Sequence, residues 1–271
     1  MISIIIPTYN AAHTLERCLS SIVNQTFSDM EVWLIDGIST DHTLDIVKRF
    51  QSRYAGIHLI SEQDKGIYDA MNKGIAYCKG DWLYFLGADD ELYGSDVLEE
   101  VNRIMLSGGS RVIYGNVMMR GHNQWNLNEV VFDGKYDLDK IVNTNICHQA
   151  IFYHKSIFSE FGLYNLNYIT GADHDFNLRC YARVPFTYAD IIVANFHVGG
   201  HSTHVQDDEF HKERGAMLLK YFRRRLFSGA FVNSRLYIQR AALSAGSPLG
   251  LKDRLICLAA YINLKVRSLL T

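Results

Sequence analysis

Short runs of hydrophobic residues alternate with amphipathic stretches over the first part of the chain. The runs predict buried strands at residues 3–6, 31–35, 57–61, 82–86 and 111–114. Between the first two runs, Leu15, Leu19 and Ile22 recur at helical spacing, and similar stretches separate the later runs. This order predicts an α/β fold in which helices flank a mainly parallel sheet and ligands bind at the carboxyl ends of the strands.

Polar and aromatic residues follow the predicted strands where each strand ends. The first strand runs into Pro7, Tyr9 and Asn10, the second ends at Asp36, and Asp64 follows the third. A tyrosine ring and a carboxylate at neighbouring strand ends could stack on a nucleobase and accept its N–H proton. The alternative is that Asp36 forms a turn, which is a common role of aspartate. No Gly-x-Gly-x-x-Gly follows the first strand, so a dinucleotide-dependent dehydrogenase is not indicated.

The fourth predicted strand runs directly into two adjacent carboxylates, Asp89 and Asp90. Two carboxylates at close range repel each other by roughly a kcal/mol or more unless a cation lies between them. Their hard oxygen atoms favour Mg²⁺ or Mn²⁺ over Zn²⁺, and Mg²⁺ commonly completes its coordination with substrate phosphates. The sequence therefore predicts a divalent metal site here, with a solvated acidic turn as the alternative.

Four segments, in order, resemble the signatures of family 2 glycosyltransferases with the GT-A fold. They are Ser-Ile-Ile-Ile-Pro-Thr-Tyr-Asn from residue 3, Ile-Asp-Gly-Ile-Ser-Thr-Asp-His-Thr from 35, Asp-Lys-Gly-Ile-Tyr-Asp-Ala-Met-Asn-Lys-Gly from 64 and Leu-Gly-Ala-Asp-Asp from 86. The resemblance covers about residues 1–205. It implies a Rossmann-like GT-A domain that transfers a sugar with inversion from a nucleotide-sugar, most often a UDP-sugar, with the help of a divalent metal.

The resemblance also implies roles for individual residues of residues 1–115, the nucleotide-sugar-binding half. The donor would be bound by Pro7, Tyr9, Asn10, Asp36, Asp64, Asn72 and Asp89, with Tyr9 lining the base pocket and Asp36 contacting uracil. The metal would be bound by Asp89 and Asp90, with His197 as a third ligand. Many family members carry Asp where this chain has Gly87, so the first carboxylate of the family's Asp-x-Asp motif is absent.

Residues 116–205 would form the acceptor-binding half. The segment Gly171 to Arg179 resembles the family's acidic motif before an amphipathic helix, with Ala172 in place of the usual Glu and Asp173 in the position of the general base. A carboxylate there can take the proton of the attacking hydroxyl. Asp175 is the competing base, and either aspartate could instead cap the helix.

Histidines in this half allow more than one interpretation. His148 and Gln149 resemble a family element that faces the acceptor, but they could equally be hydrogen-bonded polar residues of the core. His197, His201, His204 and His211 lie close together in the sequence, so a zinc site is conceivable. Their loop lacks the spacing of a zinc motif, which argues against it.

Residues 206–271 are predicted to form a basic helical extension. From Arg214 onward, eleven basic residues accompany one acidic residue, Asp253, so this segment carries a net charge of +10 and the rest of the chain −12. In the last part of this segment an apolar stripe lies beside lysines and arginines. The stripe consists of Leu251, Leu255, Leu258, Ile262, Val266 and Leu269. The stripe predicts either peripheral attachment to an anionic membrane or packing on the domain or on a second subunit in a homodimer. No nucleic-acid-binding module accompanies the charge.

Five scattered cysteines and the lack of an apolar stretch of bilayer-spanning length indicate a cytoplasmic protein. The sequence as a whole predicts a metal-dependent inverting hexosyl- or N-acetylhexosaminyltransferase that acts on a glycan or lipid-linked acceptor. Its role would be the synthesis of a bacterial cell-surface polysaccharide or lipid-linked glycan. The alternatives are a nucleotidyltransferase and a non-catalytic nucleotide-sugar-binding subunit.

Overall fold

The computed structural model describes residues 1–121, 127–199 and 207–270, and contacts divide the chain into two units. The first unit comprises Met1–Gly134, Cys147–Leu166 and Val184–Val205, and the second comprises Lys135–Ile146, Asn167–Arg183 and Gln206–Thr271. Two segments that precede residue 205 therefore fold with the C-terminal segment. The functional division into 1–205 and 206–271 stays a prediction.

The first unit is built on a mixed sheet. Within the described residues its strands are β1 (Ile2–Thr8), β2 (Met30–Asp36), β3 (Ile57–Ser61), β4 (Trp82–Phe85), β5 (Glu91–Leu92), β6 (Val112–Arg120), β7 (Val131–Phe132), β8 (Ile151–His154) and β9 (Thr187–His197). All five strands predicted from the apolar runs are confirmed. The last of them, β6, extends six residues beyond its predicted end because Val117 and Met119 continue the buried face.

Strand pairing places the ends of β1, β2 and β4 side by side. The order across the sheet is β3-β2-β1-β4-β8-β6-β9-β5, with β7 paired to β6. Strands β1 to β4 run parallel to one another, whereas β8 is antiparallel to both β4 and β6. The predicted α/β fold with a mixed sheet is confirmed. Because β1, β2 and β4 are parallel neighbours, the residues that follow each of them meet at one edge of the sheet.

Amphipathic helices cover this sheet. They are α1 (Leu15–Val23), α2 (Thr43–Gln51), α3 (Ile67–Tyr77), α4 (Val97–Ser107) and α6 (Ser156–Phe161). The predicted apolar face of α1 is buried at Leu15, Leu19 and Ile22. Gly74 on α3 lets the helix approach β1 closely, since a Cβ atom there would lie 2.5 Å from Cγ2 of Ile5.

The second unit is helical in the part of the chain that the structure describes. Its helices are α5 (Leu138–Asn143), α7 (Ala172–Tyr181), α8 (Asp208–Phe222), α9 (Arg235–Leu243) and α10 (Leu251–Arg267), with a short 3-10 helix at Gly229–Phe231. Its core contains Phe176, Leu218, Phe231 and Cys257, all fully buried. Arg214 is also buried, and its Nη2 atom donates a hydrogen bond of 2.6 Å to the carbonyl of Val142. None of the helices described is long and apolar enough to cross a membrane.

Candidate active site

A cleft of about 500 Å³ opens at the carboxyl ends of β1 and β4 in the first unit. It is lined by residues 7–11, Thr14, Asp64, Gly66, Ile67, Ala70 and residues 87–89. Of the residues predicted to bind the donor, Pro7, Tyr9, Asn10, Asp64 and Asp89 line this cleft. Asp36 and Asn72 are not among its lining residues. The individual roles stay predictions, but the fold brings most of the predicted donor site together.

The loop after β1 presents an aromatic ring to the cleft. Tyr9 is 66% exposed, which is unusual for an aromatic side chain next to a buried strand. The loop is fixed by Asn10, whose backbone has a left-handed φ of 49°. The backbone amide of Asn10 donates to Oγ of Ser39 at 2.8 Å, and the side-chain Oδ1 of Asn10 accepts from the backbone amide of Thr40 at 2.9 Å. The Asn10 side chain therefore joins two loops, and the Tyr9 ring is left free to stack on a planar ligand.

Asp36 ends β2 as a fully buried carboxylate that organises the following turn. Its Oδ2 atom accepts hydrogen bonds from the amide of Ser39 at 3.0 Å and from Oγ of Ser61 at 2.7 Å, and its Oδ1 accepts from Oγ of Ser39. These bonds occupy both oxygens and tie β2 to the end of β3. The geometry favours the turn-forming interpretation of Asp36 over direct contact with a base.

Gly37, for which the sequence predicts no role, sits between two of the predicted donor residues. A Cβ atom on Gly37 would lie 2.6 Å from Oδ2 of Asp64 and 3.5 Å from Cδ2 of Tyr9. Only glycine allows the Asp64 carboxylate to approach this backbone beside the Tyr9 ring. The other oxygen, Oδ1, accepts from the amide of Gly66 at 2.8 Å. Asp64 is thus held in place with one oxygen directed to the neighbourhood of the ring.

Gly66 is the N-cap residue of α3, and it lines the cleft together with Ile67, the first residue of the helix. Its φ of 113° is a left-handed conformation that favours glycine, and it turns the chain into the helix. The first turn of α3 therefore borders the cleft with its amide groups and the positive end of the helix dipole, an arrangement that suits phosphate groups. Asn72, farther along α3, is committed elsewhere: its side chain pairs with the backbone amide and carbonyl of Tyr164, both at 3.0 Å.

The acidic pair after β4 is split between two environments. Asp89 is half-buried and lines the cleft, whereas Asp90 is almost fully buried. Asp90 accepts hydrogen bonds from Nε2 of Gln149 at 2.6 Å and from the amide of His197 at 2.8 Å. Burial, together with the charge of Asp89, raises the pKa of Asp90 to about 8. Asp90 therefore joins β4 to two distant segments, and of the pair only Asp89 lines the cleft.

Gly87 occupies the position of the first acidic residue of the family motif, and its backbone lies close to both carboxylates. A Cβ atom at position 87 would lie 2.7 Å from Oδ1 of Asp89 and 2.7 Å from Oδ2 of Asp90. Any side chain there would displace one of the two carboxylates. The chain thus places the acidic pair close to the backbone, in space that a larger residue would fill.

The predicted histidine ligand and the predicted acceptor residues surround Asp90. His197 Nε2 lies 3.3 Å from Oε1 of Glu91, and its backbone rather than its ring contacts Asp90. His148 is half-buried with its Nε2 atom enclosed, and this desolvation lowers its pKa to about 4, so it is neutral at pH 7. Gln149 is buried against Asp90, and these environments favour the core interpretation of both residues. His201 and His204 of the conceivable zinc site lie outside the described residues.

The donor set at the cleft fits a hard cation bound partly by its ligand. Among the residues described, no three histidine, cysteine or acidic side chains come together as a metal-binding group. Asp89 supplies carboxylate oxygens at the cleft wall, next to the α3 N-terminus that suits phosphates. One carboxylate completed by phosphate oxygens is a common mode of Mg²⁺ binding.

In the second unit, Asp173 and Asp175 occupy the first turn of α7 in different ways. Asp173 Oδ2 accepts from Nδ2 of Asn145 at 2.8 Å, and its Oδ1 accepts from the backbone amide of His174 at 2.8 Å, so two donors fix the direction of this carboxylate. Asp175 is bound by Nη2 of Arg179 at 2.9 Å and by the hydroxyl of Tyr221 at 2.7 Å. Asp175 therefore links α7 to α8 as an ion-paired structural residue, and the role of Asp173 as the base stays a prediction.

Asp207 is a further residue for which the sequence predicts no role. It is buried, and its Oδ2 accepts the backbone amides of Ile169, Thr170 and Gly171 at 2.7, 2.9 and 3.0 Å. Its Oδ1 accepts the amide of Phe210 and so caps α8. Burial disfavours its charge, but these amide bonds outweigh burial and lower the pKa of Asp207. The aspartate before an amphipathic helix was a visible capping signal, whereas its three bonds to the loop were not.

Comparison with known proteins identifies the family of this chain. Residues 3–162 match the model of glycosyl transferase family 2. A PGL/p-HBAD biosynthesis glycosyltransferase of Mycobacterium tuberculosis is 44% identical over 219 residues, which cover 78% of this chain and 83% of the relative. The chain belongs to glycosyl transferase family 2, and it is a glycosyltransferase.

Solved structures support the fold. Staphylococcus aureus TarS 1-349 in complex with UDP-GlcNAc superposes with a TM-score of 0.70 at 16% identity, over 97% of this chain and 81% of TarS. The mannosyltransferase PcManGT from Pyrobaculum calidifontis, in complex with GDP-Man and Mn²⁺, gives a TM-score of 0.59 at 17% identity, over 99% of this chain and 86% of that protein. The predicted GT-A fold is confirmed.

Proposed function

We propose that this glycosyltransferase moves a hexosyl or N-acetylhexosaminyl group from a UDP-sugar to an acceptor hydroxyl, with inversion at the anomeric carbon. The observation that carries the proposal is the cleft at the ends of β1 and β4. It combines an exposed tyrosine ring, a positioned carboxylate, a helix N-terminus and an acidic residue. These four groups correspond to the base, the imide N–H, the pyrophosphate and the metal of a metal-bound UDP-sugar.

The base would stack on Tyr9, and its N3 proton would be accepted by Oδ2 of Asp64. Asp64 takes over the uracil contact that the family resemblance implies for Asp36, because the Asp36 oxygens already accept bonds from Ser39 and Ser61. The pyrophosphate would lie at the first turn of α3. Amide groups and the helix dipole favour an anion at this position.

Asp89 would hold a divalent cation, Mn²⁺ or Mg²⁺, together with the phosphate oxygens. The cation neutralises charge on the departing nucleoside diphosphate when it is bound. Asp90 would support this position without binding the cation directly, because its two oxygens accept hydrogen bonds from Gln149 and His197. The use of a divalent metal accords with the Mn²⁺ complex of PcManGT, a structural neighbour.

Asp173 would act as the general base. It accepts the proton of the acceptor hydroxyl while that oxygen attacks the anomeric carbon and the bond to the diphosphate breaks on the opposite face. Asn145 holds the carboxylate in one orientation by donating to Oδ2. Asp173→Asn is expected to leave UDP affinity unchanged and to lower turnover at least about a hundredfold. Turnover close to that of the unmodified enzyme would exclude Asp173 from this role.

The acceptor belongs to a bacterial cell-surface polysaccharide or a lipid-linked glycan. This part of the proposal rests on the relative from M. tuberculosis, whose name places it in PGL/p-HBAD biosynthesis. We also propose that the enzyme works in the cytoplasm. Its five cysteines are free thiols, four of them buried, as expected for a protein of a reducing compartment.

Titration calorimetry with UDP, in the presence and absence of Mn²⁺, tests the donor site. Asp89→Asn is expected to weaken Mn²⁺-dependent UDP binding at least tenfold. Asp81→Asn is the matched control, because Asp81 is an exposed aspartate immediately before β4 at the opposite end of the strand. Equal UDP affinity in both variants and in the unmodified enzyme would contradict the role of Asp89. Release of UDP, rather than pyrophosphate, during turnover separates sugar transfer from nucleotidyl transfer.

A further inference from the structure

Helix α10 turns an apolar face to the solvent. Its inner face is buried through Cys257, Ala260 and Leu264, and it packs mainly on α9. The predicted stripe lies mostly on the other side, with Leu251, Leu255, Ile262, Val266 and Leu269 between 53% and 78% exposed. At about 100° per residue the four of these side chains that lie within α10, all but Leu269, fall within an arc of about 60°. Within this chain, the stripe is not covered by the core that anchors the helix.

Basic residues border this face on both sides. Lys252 and Lys265 are exposed and fall about 40° beyond the two edges of the apolar arc. Arg267 is exposed in the last turn. The helix contains one acidic residue, Asp253, and its Oδ1 is paired with Nη1 of Arg223 at 2.8 Å. The face is therefore apolar in its centre and positive along its rims.

A groove of about 660 Å³ continues the stripe at its N-terminal end. Its walls are the apolar residues Phe227, Leu251, Leu255, Ile256 and Ala259, and its charged residues are Arg223 and Lys252. Arg224 and Arg225 are exposed next to it in the sequence. An acyl chain fits such apolar walls, and a phosphate group fits the ammonium group of Lys252 at the rim.

We propose that this face, consisting of the α10 stripe, its lysines and the adjoining groove, is a docking surface for an anionic phospholipid bilayer. The helix would lie in the plane of the interface with its apolar side among the upper acyl chains. Lys252 and Lys265 would then meet the lipid phosphates. This inference goes beyond the sugar transfer proposed above and rests on a different part of the chain.

Charge selects the bilayer over a second copy of the chain. A twofold interface through the stripe would pair two faces whose rims both carry lysines, and like charges at such an interface oppose association. An anionic lipid surface neutralises both rims at once. It also accepts an apolar face of any length, whereas a protein partner needs complementary shape.

Cosedimentation with vesicles tests the proposal. The full chain is mixed with vesicles of phosphatidylcholine containing 30 mol% phosphatidylglycerol (about one lipid in three), or with pure phosphatidylcholine, at low and at high salt. We expect binding to the anionic vesicles, much weaker binding to the neutral ones, and loss of binding as salt screens the lysines. Absence of binding to either vesicle at low salt would overturn the proposal.

Two double variants separate the apolar and the charged contributions. Leu255→Gln with Ile262→Gln is expected to lower vesicle partitioning at least tenfold, because two exposed side chains no longer enter the acyl region. Lys252→Gln with Lys265→Gln is expected to lower it about twenty-fivefold, from roughly fivefold per cation. The matched control is Leu106→Gln with Lys212→Gln, at exposed residues of α4 and α8. All four positions changed in the test variants are exposed, so the melting temperatures of these variants should equal that of the unmodified protein.

Each further outcome decides the matter. Equal partitioning of the two test variants and the control would overturn the proposal. Light scattering that detects a dimer, lost in the Leu255→Gln and Ile262→Gln variant, would assign the face to a second copy instead. Calorimetric UDP binding is measured on the same samples and should not change. A failure of membrane docking is therefore distinguishable from a failure of the proposed donor site.

Discussion

Asp207 offers a sharp test of how the second unit holds the predicted base. In Asp207→Ser the hydroxyl can still accept the Phe210 amide and cap α8, because serine is as good an N-cap as aspartate. It cannot also reach the three amides of residues 169–171, which lie on the other oxygen in the native protein. The substitution therefore removes the loop contact and keeps the cap.

The expected loss of stability depends on how many of the three backbone amides are left without an acceptor. A buried donor left without its acceptor costs about 1–3 kcal/mol, so three would cost roughly 3–9 kcal/mol if none found another partner. Ile169 is exposed and can return its amide to water, whereas Gly171 is buried. We therefore expect the lower end, a loss of about 3 kcal/mol in the free energy of unfolding.

The assay is urea unfolding followed by circular dichroism, with Asp137→Ser as the control. Asp137 caps α5 through Lys140 at 2.8 Å and is exposed, so the same substitution there should change stability by less than about 0.5 kcal/mol. Helix α7 begins directly after Gly171, so Asp207→Ser should also lower kcat about tenfold with an unchanged KM for the donor. Stability and kcat matching those of Asp137→Ser would refute this reasoning.

Two further predictions concern the cleft and the pH dependence of stability. Gly37→Ala should weaken UDP binding about tenfold, because its Cβ atom would lie 2.6 Å from Oδ2 of Asp64. The control Gly56→Ala, whose Cβ atom would lie 3.4 Å from its nearest neighbour, should bind UDP as the unmodified protein does. Equal calorimetric affinities of the two variants for UDP would contradict the role of this contact. Burial, and after it the charge of Arg214, lowers the pKa of His174 to about 3, so the folded state keeps this histidine neutral while the unfolded chain binds a proton below about pH 6.5. Stability is therefore lost as pH falls from about 6.5 toward 3. In urea titrations at pH 4–5.5, His174→Gln should reduce the dependence of the unfolding free energy on pH by about 1.4 kcal/mol per pH unit. Parallel plots of unfolding free energy against pH for both proteins would exclude a buried neutral His174.

The order of strands and helices in the first unit was readable because each apolar run was long enough to mark a buried strand. The positions of Tyr9, Asp64 and Asp89 at one cleft were also predictable, since parallel neighbouring strands bring their carboxyl ends together. The different fates of Asp89 and Asp90 were not. The two residues are adjacent in sequence, and their environments depend on Gln149 and His197, which reach Asp90 from distant strands and loops.

Glycines and capping residues mark the same limit. Gly37 and Gly87 are ordinary turn residues in the sequence. Their importance comes from the carboxylate oxygens that would lie within 3 Å of a Cβ atom at either position. Asp207 reads as a helix cap, and only the folded chain brings the loop 169–171 to its second oxygen. The apolar stripe of α10 was equally visible, but its period is the same for a helix in a core and a helix at a surface.

The sequence by itself determined the family, the α/β order of the first unit, the residues that line the donor cleft and the amphipathic character of the last helix. These properties are local, since they depend on periodicity and on the few residues at the end of each strand. The tertiary structure decided which carboxylate of the acidic pair lines the cleft, that both oxygens of Asp36 accept hydrogen bonds from Ser39 and Ser61, and that the apolar side of α10 faces solvent. Those outcomes depend on contacts between segments far apart in the chain, and a one-dimensional pattern carries no record of them.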